Sequence, residues 1–208
     1  DPVADSDEDL TDFIRFLAGR DERNPREFSR ATPTLRMNID DRIRLAATAW
    51  VVPRPSVVIR RHRLVRITLD DLVAMGSLSP LAARFLAAAV KDGRSIVVAG
   101  QQNAGKTTLV RALCAEIPYH EVVVTVESER ELFLHELADQ HIRVFPFEAR
   151  KGSSELRADG TRAGQFTLQD ALVTSKAMSA DRQIVGEVLG AEVLDMLEAM
   201  RSSRSSAG

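Results

Sequence analysis

The period of hydrophobic and polar positions changes along this chain, and the changes mark out its elements. From Asp9 to Ala18 the apolar residues Leu10, Phe13, Ile14 and Leu17 recur at helical spacing, which predicts a short opening helix with one buried face. Residues 21–34 are polar and read as a loop. From Leu35 to Arg66 the pattern shifts to β-branched runs broken by turn residues, LRMNIDDRIRL and then SVVIRRHRLVRI, which predicts antiparallel strands. Ser79-Pro80 then offers an N-cap and a first-turn proline for a helix running through Lys91.

Beyond that helix the pattern alternates. Ser95 to Ala99 (SIVVA) is a short, wholly apolar run suited to a central parallel strand, and TTLVRALCAEI is an amphipathic helix. EVVVTVE and HIRVFPF read as strands, KGSSELRADGTRAGQ as a glycine- and serine-rich loop, and LQDALVTSKAM as a helix capped by Thr167. RQIVGEV is a further strand and GAEVLDMLEAM a final helix. Alternating strands and helices predict an α/β domain with a mostly parallel sheet. The expected organisation is therefore a small α+β domain over 1–66, a linker over 67–78 and an α/β domain over 79–208.

Composition narrows the class. With 44% hydrophobic and 28% charged residues, neither disorder nor a fibrous repeat accounts for the chain. A formal charge of −2 gives no support to a surface that coats nucleic acid, so none is expected as a partner. The single cysteine, Cys114, excludes an intrachain disulfide and fits a reducing, cytoplasmic setting. The most apolar stretch, Leu81 to Val90, is interrupted by Arg84 and too short for a membrane helix. The acidic start DPVADSDEDL lacks the order of a signal peptide, and the chain reads as a piece of a longer protein.

The strongest chemical signal is Gly100-Gln101-Gln102-Asn103-Ala104-Gly105-Lys106-Thr107, followed by Thr108, a full match to G-x-x-x-x-G-K-[ST] between an expected strand and an expected helix. Glycines let the backbone turn N–H groups toward phosphate oxygens, and the helix N-terminus adds its positive end. Lys106 is placed to reach the β- and γ-phosphates of a bound triphosphate and Thr107 to ligate Mg²⁺. Only Lys91, Lys106, Lys151 and Lys176 among the 28 basic residues are lysine, so a loop indifferent to lysine would more often have carried arginine.

Such a cradle needs carboxylates at the ends of neighbouring strands, to hold the metal and orient water. Two segments supply them: EVVVTVE ends in Glu127 and continues to Glu129 and Glu131, and QIVGE ends in Glu187. The succession of G-x-x-x-x-G-K-T-T, Thr125-Val126-Glu127-Ser128-Glu129-Arg130-Glu131-Leu132, and Asp181-Arg182-Gln183-Ile184-Val185-Gly186-Glu187-Val188 continuing to Met200 resembles the traffic ATPases of type II and type IV secretion and Tad-type pili, closest to the Tad/type IV secretion branch. The resemblance implies a RecA-like P-loop motor domain behind a small N-terminal domain. It further implies a homo-hexameric ring, peripheral to the inner face of the cytoplasmic membrane, docked on inner-membrane platform proteins and driven by ATP and Mg²⁺. In that family Glu131 matches the water-activating acid, Glu127 the other acid of its box, and Glu187 the acid near Mg²⁺. Arg60 and Arg61 fall where the family presents arginines toward nucleotide. The family's histidine box would lie after Gly208.

Ser128, Ala177, Ser179 and Leu189 depart from the family, which carries Asp at the first position and arginines at the others. Arginines stabilise charge on a transferring phosphoryl group, so their loss argues for slow hydrolysis rather than lost binding. Three functions stay open: a motor ATPase, a nucleotide-binding structural subunit of such a machine, and a P-loop kinase with GSSELRADGTRAG as its lid. The cluster Arg60, Arg61, Arg63 and Arg66 reads first as a solvated strand face, next as a nucleotide or subunit contact, and least readily as a lipid or nucleic-acid patch. His62, His120, His135 and His141 lack ligand spacing and read as surface or packing residues, as does buried Cys114.

Overall fold

A computed structural model describes residues 4–20, 26–40, 43–61, 66–150, 152, 155–158, 160–186 and 193–202. The chain divides into two compact units, Asp1–Leu64 with Arg150–Phe166, and Val65–Ala149 with Thr167–Gly208. No helix among the described residues is long and apolar enough to cross a membrane.

In the first unit, helix α1 (Asp7–Arg20) is followed by strands β1 (Thr34–Asp40), β2 (Ile43–Thr48) and β3 (Ser56–Arg61), an antiparallel sheet in that order. Alternation sets its core. Leu35 and Met37 on β1 lie opposite Ala47 and Leu45 on β2, and all four are buried with Ile14, Leu17, Ala18 and Phe28. The Trp50 ring closes the edge of that cluster against Phe28, with centroids 5.0 Å apart. The segment expected as a glycine-rich loop folds back on itself, with antiparallel bridges at Arg150↔Phe166 and Leu156↔Arg162. Gly152, at φ +76°, is required there: a Cβ would sit 2.8 Å from that of Arg162 and 2.9 Å from the Ala163 carbonyl.

In the second unit, α2 (Leu69–Ala74) and α3 (Pro80–Lys91) precede α4 (Lys106–Cys114), and strands β4 (Val122–Glu127), β5 (Arg143–Glu148) and β6 (Arg182–Val185) form a parallel sheet ordered β5-β4-β6. Helix α5 (Leu168–Ala177) packs on β4 and β5, and α6 (Val193–Ser202) follows β6. The caps expected at Ser79 and Thr167 are present, and a further one stands at Thr68. Ser79 Oγ accepts the Ala82 N–H, while Thr68 and Thr167 each form a reciprocal capping box with Asp71 and Asp170. As the middle strand, β4 is covered on both faces, and Val123, Val124 and Val126 are fully buried. Two contacts to carboxylates fix the register at its start: Asp181 accepts the Val122 backbone N–H at 2.8 Å, and Arg182 forks onto the Glu121 carboxylate.

One expected strand is absent. Ser95–Ala99 belongs to neither sheet, and Val97 is 61% exposed. An apolar β-branched run records a preference for extended backbone, but a strand exists only where a neighbour supplies the hydrogen-bond ladder. The parallel sheet of the described residues therefore contains β4, β5 and β6 without the run that leads into the phosphate loop.

The core of the first unit turns on Leu45, which is 1% exposed on the central strand. Leu45→Ala is expected to destabilise that unit by roughly 2–5 kcal/mol, read as a lower denaturation midpoint.

Candidate functional site

The 100–107 loop, the candidate phosphate loop, connects the 95–99 run to α4, and its shape comes from two left-handed residues. Asn103 has φ 63° and Gly105, the residue capping α4, has φ 85°. Alternation of left- and right-handed residues turns successive N–H groups toward one side, the concavity that receives an anionic oxygen. At the start of α4 the N–H groups of Lys106, Thr107 and Thr108 have no intrahelical carbonyl to meet. The Lys106 ammonium donates to the Gly100 and Gln101 carbonyls at 3.0 and 2.8 Å, and among the described residues no carboxylate neutralises it. Gln101 also accepts the Ala104 N–H at 3.2 Å, which closes the loop, and Gln102 and Thr108 stand exposed on it. A lysine held over a nest of donors, with its charge uncancelled, fits a polyphosphate.

The acidic segment begins where β4 ends. Glu127 is 2% exposed, and its Oε1 accepts two backbone N–H groups, from Glu131 at 2.9 Å and from Leu132 at 3.0 Å. Leu132, Phe133 and Leu134 behind it are buried, which anchors the loop. Burial pushes the Glu127 carboxyl up to about 7, against the opposing pull of those two N–H donors. Gly186 closes over it. A Cβ there would lie 2.8 Å from Glu127 Cγ, and the Gly186 N–H donates to the Val126 carbonyl at 2.9 Å.

Two arginines complete the arrangement. Arg130 pairs with Glu148 at 3.0 Å, and Glu148 is the register partner of Glu127 on β5. Arg111, on α4, donates from Nη2 to the Glu131 carbonyl. Burial pulls the Arg111 guanidinium down from its usual range, opposed by the charges of Glu131 and Glu127. Cys114, one turn further along α4, has its thiol pushed up to about 12 by burial and is inert packing.

The structure thus brings Glu127, Glu131 and the phosphate-loop helix together within one unit. Glu187 and Leu189 lie outside the described residues, as do His62 and Arg63. Arg60 and Arg61 are exposed on β3, in the other unit. Ala177 ends α5, and Ser179 takes a left-handed φ of 52° in the turn toward β6. Among the described residues no group of three His, Cys, Asp or Glu side chains is placed to hold a metal. Sequence reasoning missed Arg111 and the closure of Gly186 over Glu127. The available signals were Arg111 lying four residues after Thr107, hence on the same helical face, and a glycine directly before the strand-terminal acid.

Residues 10–206 match the family model described as "Type II/IV secretion system protein". The type IV secretion system protein PtlH of Bordetella pertussis is 36% identical over 121 residues, covering 58% of this chain and 33% of that protein. The type IV secretion system protein VirB11 of Brucella suis is 32% identical over 170 residues, covering 71% of this chain and 44% of that protein. The crystal structure of the VirB11 ATPase from the Brucella suis type IV secretion system, in complex with sulphate, is similar over 95% of this chain and 62% of that one, with a TM-score of 0.45 and 26% identity. The chain therefore spans between a third and a half of the length of these curated relatives.

The raised Glu127 carboxyl makes stability depend on pH in a defined direction. Between about 4.5, where the unfolded group titrates, and about 7 the native state holds a proton that the unfolded state has lost. Stability should therefore fall as pH rises through that window and level off above it, by on the order of 3 kcal/mol. Glu127→Gln should flatten this dependence, measured as denaturation midpoints from pH 4.5 to 8.

Proposed function

We propose that this chain, which belongs to the type II/IV secretion system protein family, is the nucleotide-binding core of a motor ATPase that couples ATP hydrolysis to substrate export or to assembly of a Tad-type pilus. The observation that carries the reading is a phosphate loop whose lysine has no carboxylate partner among the described residues, on the same helix that holds the acidic loop through Arg111. The N–H groups of Asn103 and of Gly105 to Thr108 would receive the phosphates, with Lys106 supplying positive charge to the β- and γ-oxygens. The Thr107 hydroxyl and the Glu187 carboxylate would hold Mg²⁺. When bound, that ion supplies positive charge against the β- and γ-phosphate oxygens.

Glu131 accepts the proton of the attacking water and orients it, while Glu127 keeps the acidic loop in place. Arg60 and Arg61 are the N-terminal residues that the family resemblance assigns to nucleotide contact in the assembled ring. The working protein is a homo-hexamer, cytoplasmic and peripheral to the inner face of the membrane through platform proteins. The absence of arginine at Ala177, Ser179 and Leu189 supports a slow cycle, and its limit is a nucleotide-binding subunit that stabilises the machine without turnover.

Calorimetry tests the cradle: Lys106→Ala is expected to remove most ATP affinity, and unchanged affinity would refute the loop assignment. Phosphate release by the full-length protein tests the acid. Glu131→Gln should retain ATP binding and lose roughly a hundredfold or more in turnover. Absence of turnover in the unmodified full-length protein would leave the non-hydrolysing subunit as the correct reading.

A further inference from the structure

Glu131 sits in a loop without regular structure, where backbone N–H and C=O groups ordinarily turn to water or to a local turn. Here both of its backbone groups go instead to ionisable side chains, and the two side chains come from different elements. The N–H donates to the Glu127 carboxyl at the end of β4, and the carbonyl accepts from the Arg111 guanidinium on α4. Leu132 adds its own N–H to the same Glu127 oxygen at 3.0 Å. The guanidinium-to-carbonyl bond is charge-assisted, as are the bonds to Glu127 when it is ionised, and such bonds are stronger than neutral ones.

The arginine is not there for packing alone. Its environment is half-buried, its Nε is buried and makes no hydrogen bond among the described residues, and its Nη2 donates to a neutral carbonyl rather than a carboxylate. Burying a guanidinium on those terms is unfavourable by comparison with a leucine at the same helical position. The position explains what is gained. Arg111 lies four residues after Thr107 and three before Cys114, so the three share the face of α4 on which the acidic segment rests. The rise between Thr107 and Arg111 is about 6 Å along a rigid helix, so a shift of the phosphate loop is delivered to the Glu131 carbonyl as a displacement of the same size.

We infer that Arg111 is a positioning residue: with Glu127 it clamps both backbone groups of Glu131 and ties the attitude of that acid to the first turn of the phosphate-loop helix. This rests on the motor reading for its catalytic consequence, but the clamp itself is a property of the fold. A merely structural arginine would affect unfolding, not the split between binding and turnover.

The test uses the full-length protein. Arg111→Met is expected to lower kcat about tenfold or more while the ATP dissociation constant stays within about twofold. It should also speed amide hydrogen exchange in the peptide spanning 128–133 while leaving that of β4 unchanged. Arg111→Lys, which restores a donor at the same place, should recover most of both effects. A kcat close to that of the unmodified protein, parallel losses of turnover and ATP affinity, or unchanged exchange at 128–133 would overturn the clamp. If the unmodified protein has no turnover, the motor reading fails and exchange alone decides: acceleration in Arg111→Met sustains the clamp and its absence overturns it.

Discussion

A carboxyl group at the end of the most deeply buried strand imposes its demands on everything near it. Glu127 terminates β4 at 2% exposure, where an uncompensated charge is strongly disfavoured. Two backbone N–H groups supply part of the compensation, and they are available only because the chain turns back immediately after the strand. Leu132 and Phe133 drive that turn by burying themselves behind it. On the other side the end of β6 can approach only because residue 186 has no side chain. Strand, acidic loop and neighbouring strand end are thus mutually required, and α4 joins them through Arg111.

Arginine and lysine divide the work in this chain. Arg182 forks onto Glu121, with both side chains largely buried, Arg130 neutralises Glu148, and Arg111 holds a carbonyl. Each task uses the planar, multi-donor guanidinium as a fixed bracket. The lysine of the phosphate loop does the opposite. Lys106 is a point charge on a flexible stem, resting on two carbonyls that it can exchange for better acceptors.

Much of this was legible in the sequence. The opening helix, the antiparallel strands, the caps at Ser79 and Thr167 and the parallel strands β4, β5 and β6 all follow from local period and turn chemistry, which act within a few residues. The candidate phosphate loop and the acid that ends β4 could be singled out because the chemistry proposed for them dictates both residue type and spacing. The 95–99 run was misread because its pattern reports preference and says nothing of a partner. Arg111 was invisible for the complementary reason: on the page it is one polar residue of an amphipathic helix, and its meaning depends on a carbonyl twenty residues away. The turn-back of 150–166 was hidden in the same way, since its bridges join residues whose pairing no local pattern marks.

The run that entered neither sheet has a consequence for the behaviour of the chain in concentrated solution. Ser95–Ala99 is β-prone, uncharged and free of proline, and part of it faces solvent. Those are the properties of a segment that templates intermolecular cross-β stacking. Its guards are local: Arg94, held by Asp92 at 2.7 Å, stands at one end, and the glycine that opens the phosphate loop breaks the run at the other. Gly100, which opens the candidate phosphate loop, thereby also limits the length over which neighbouring molecules can zip together.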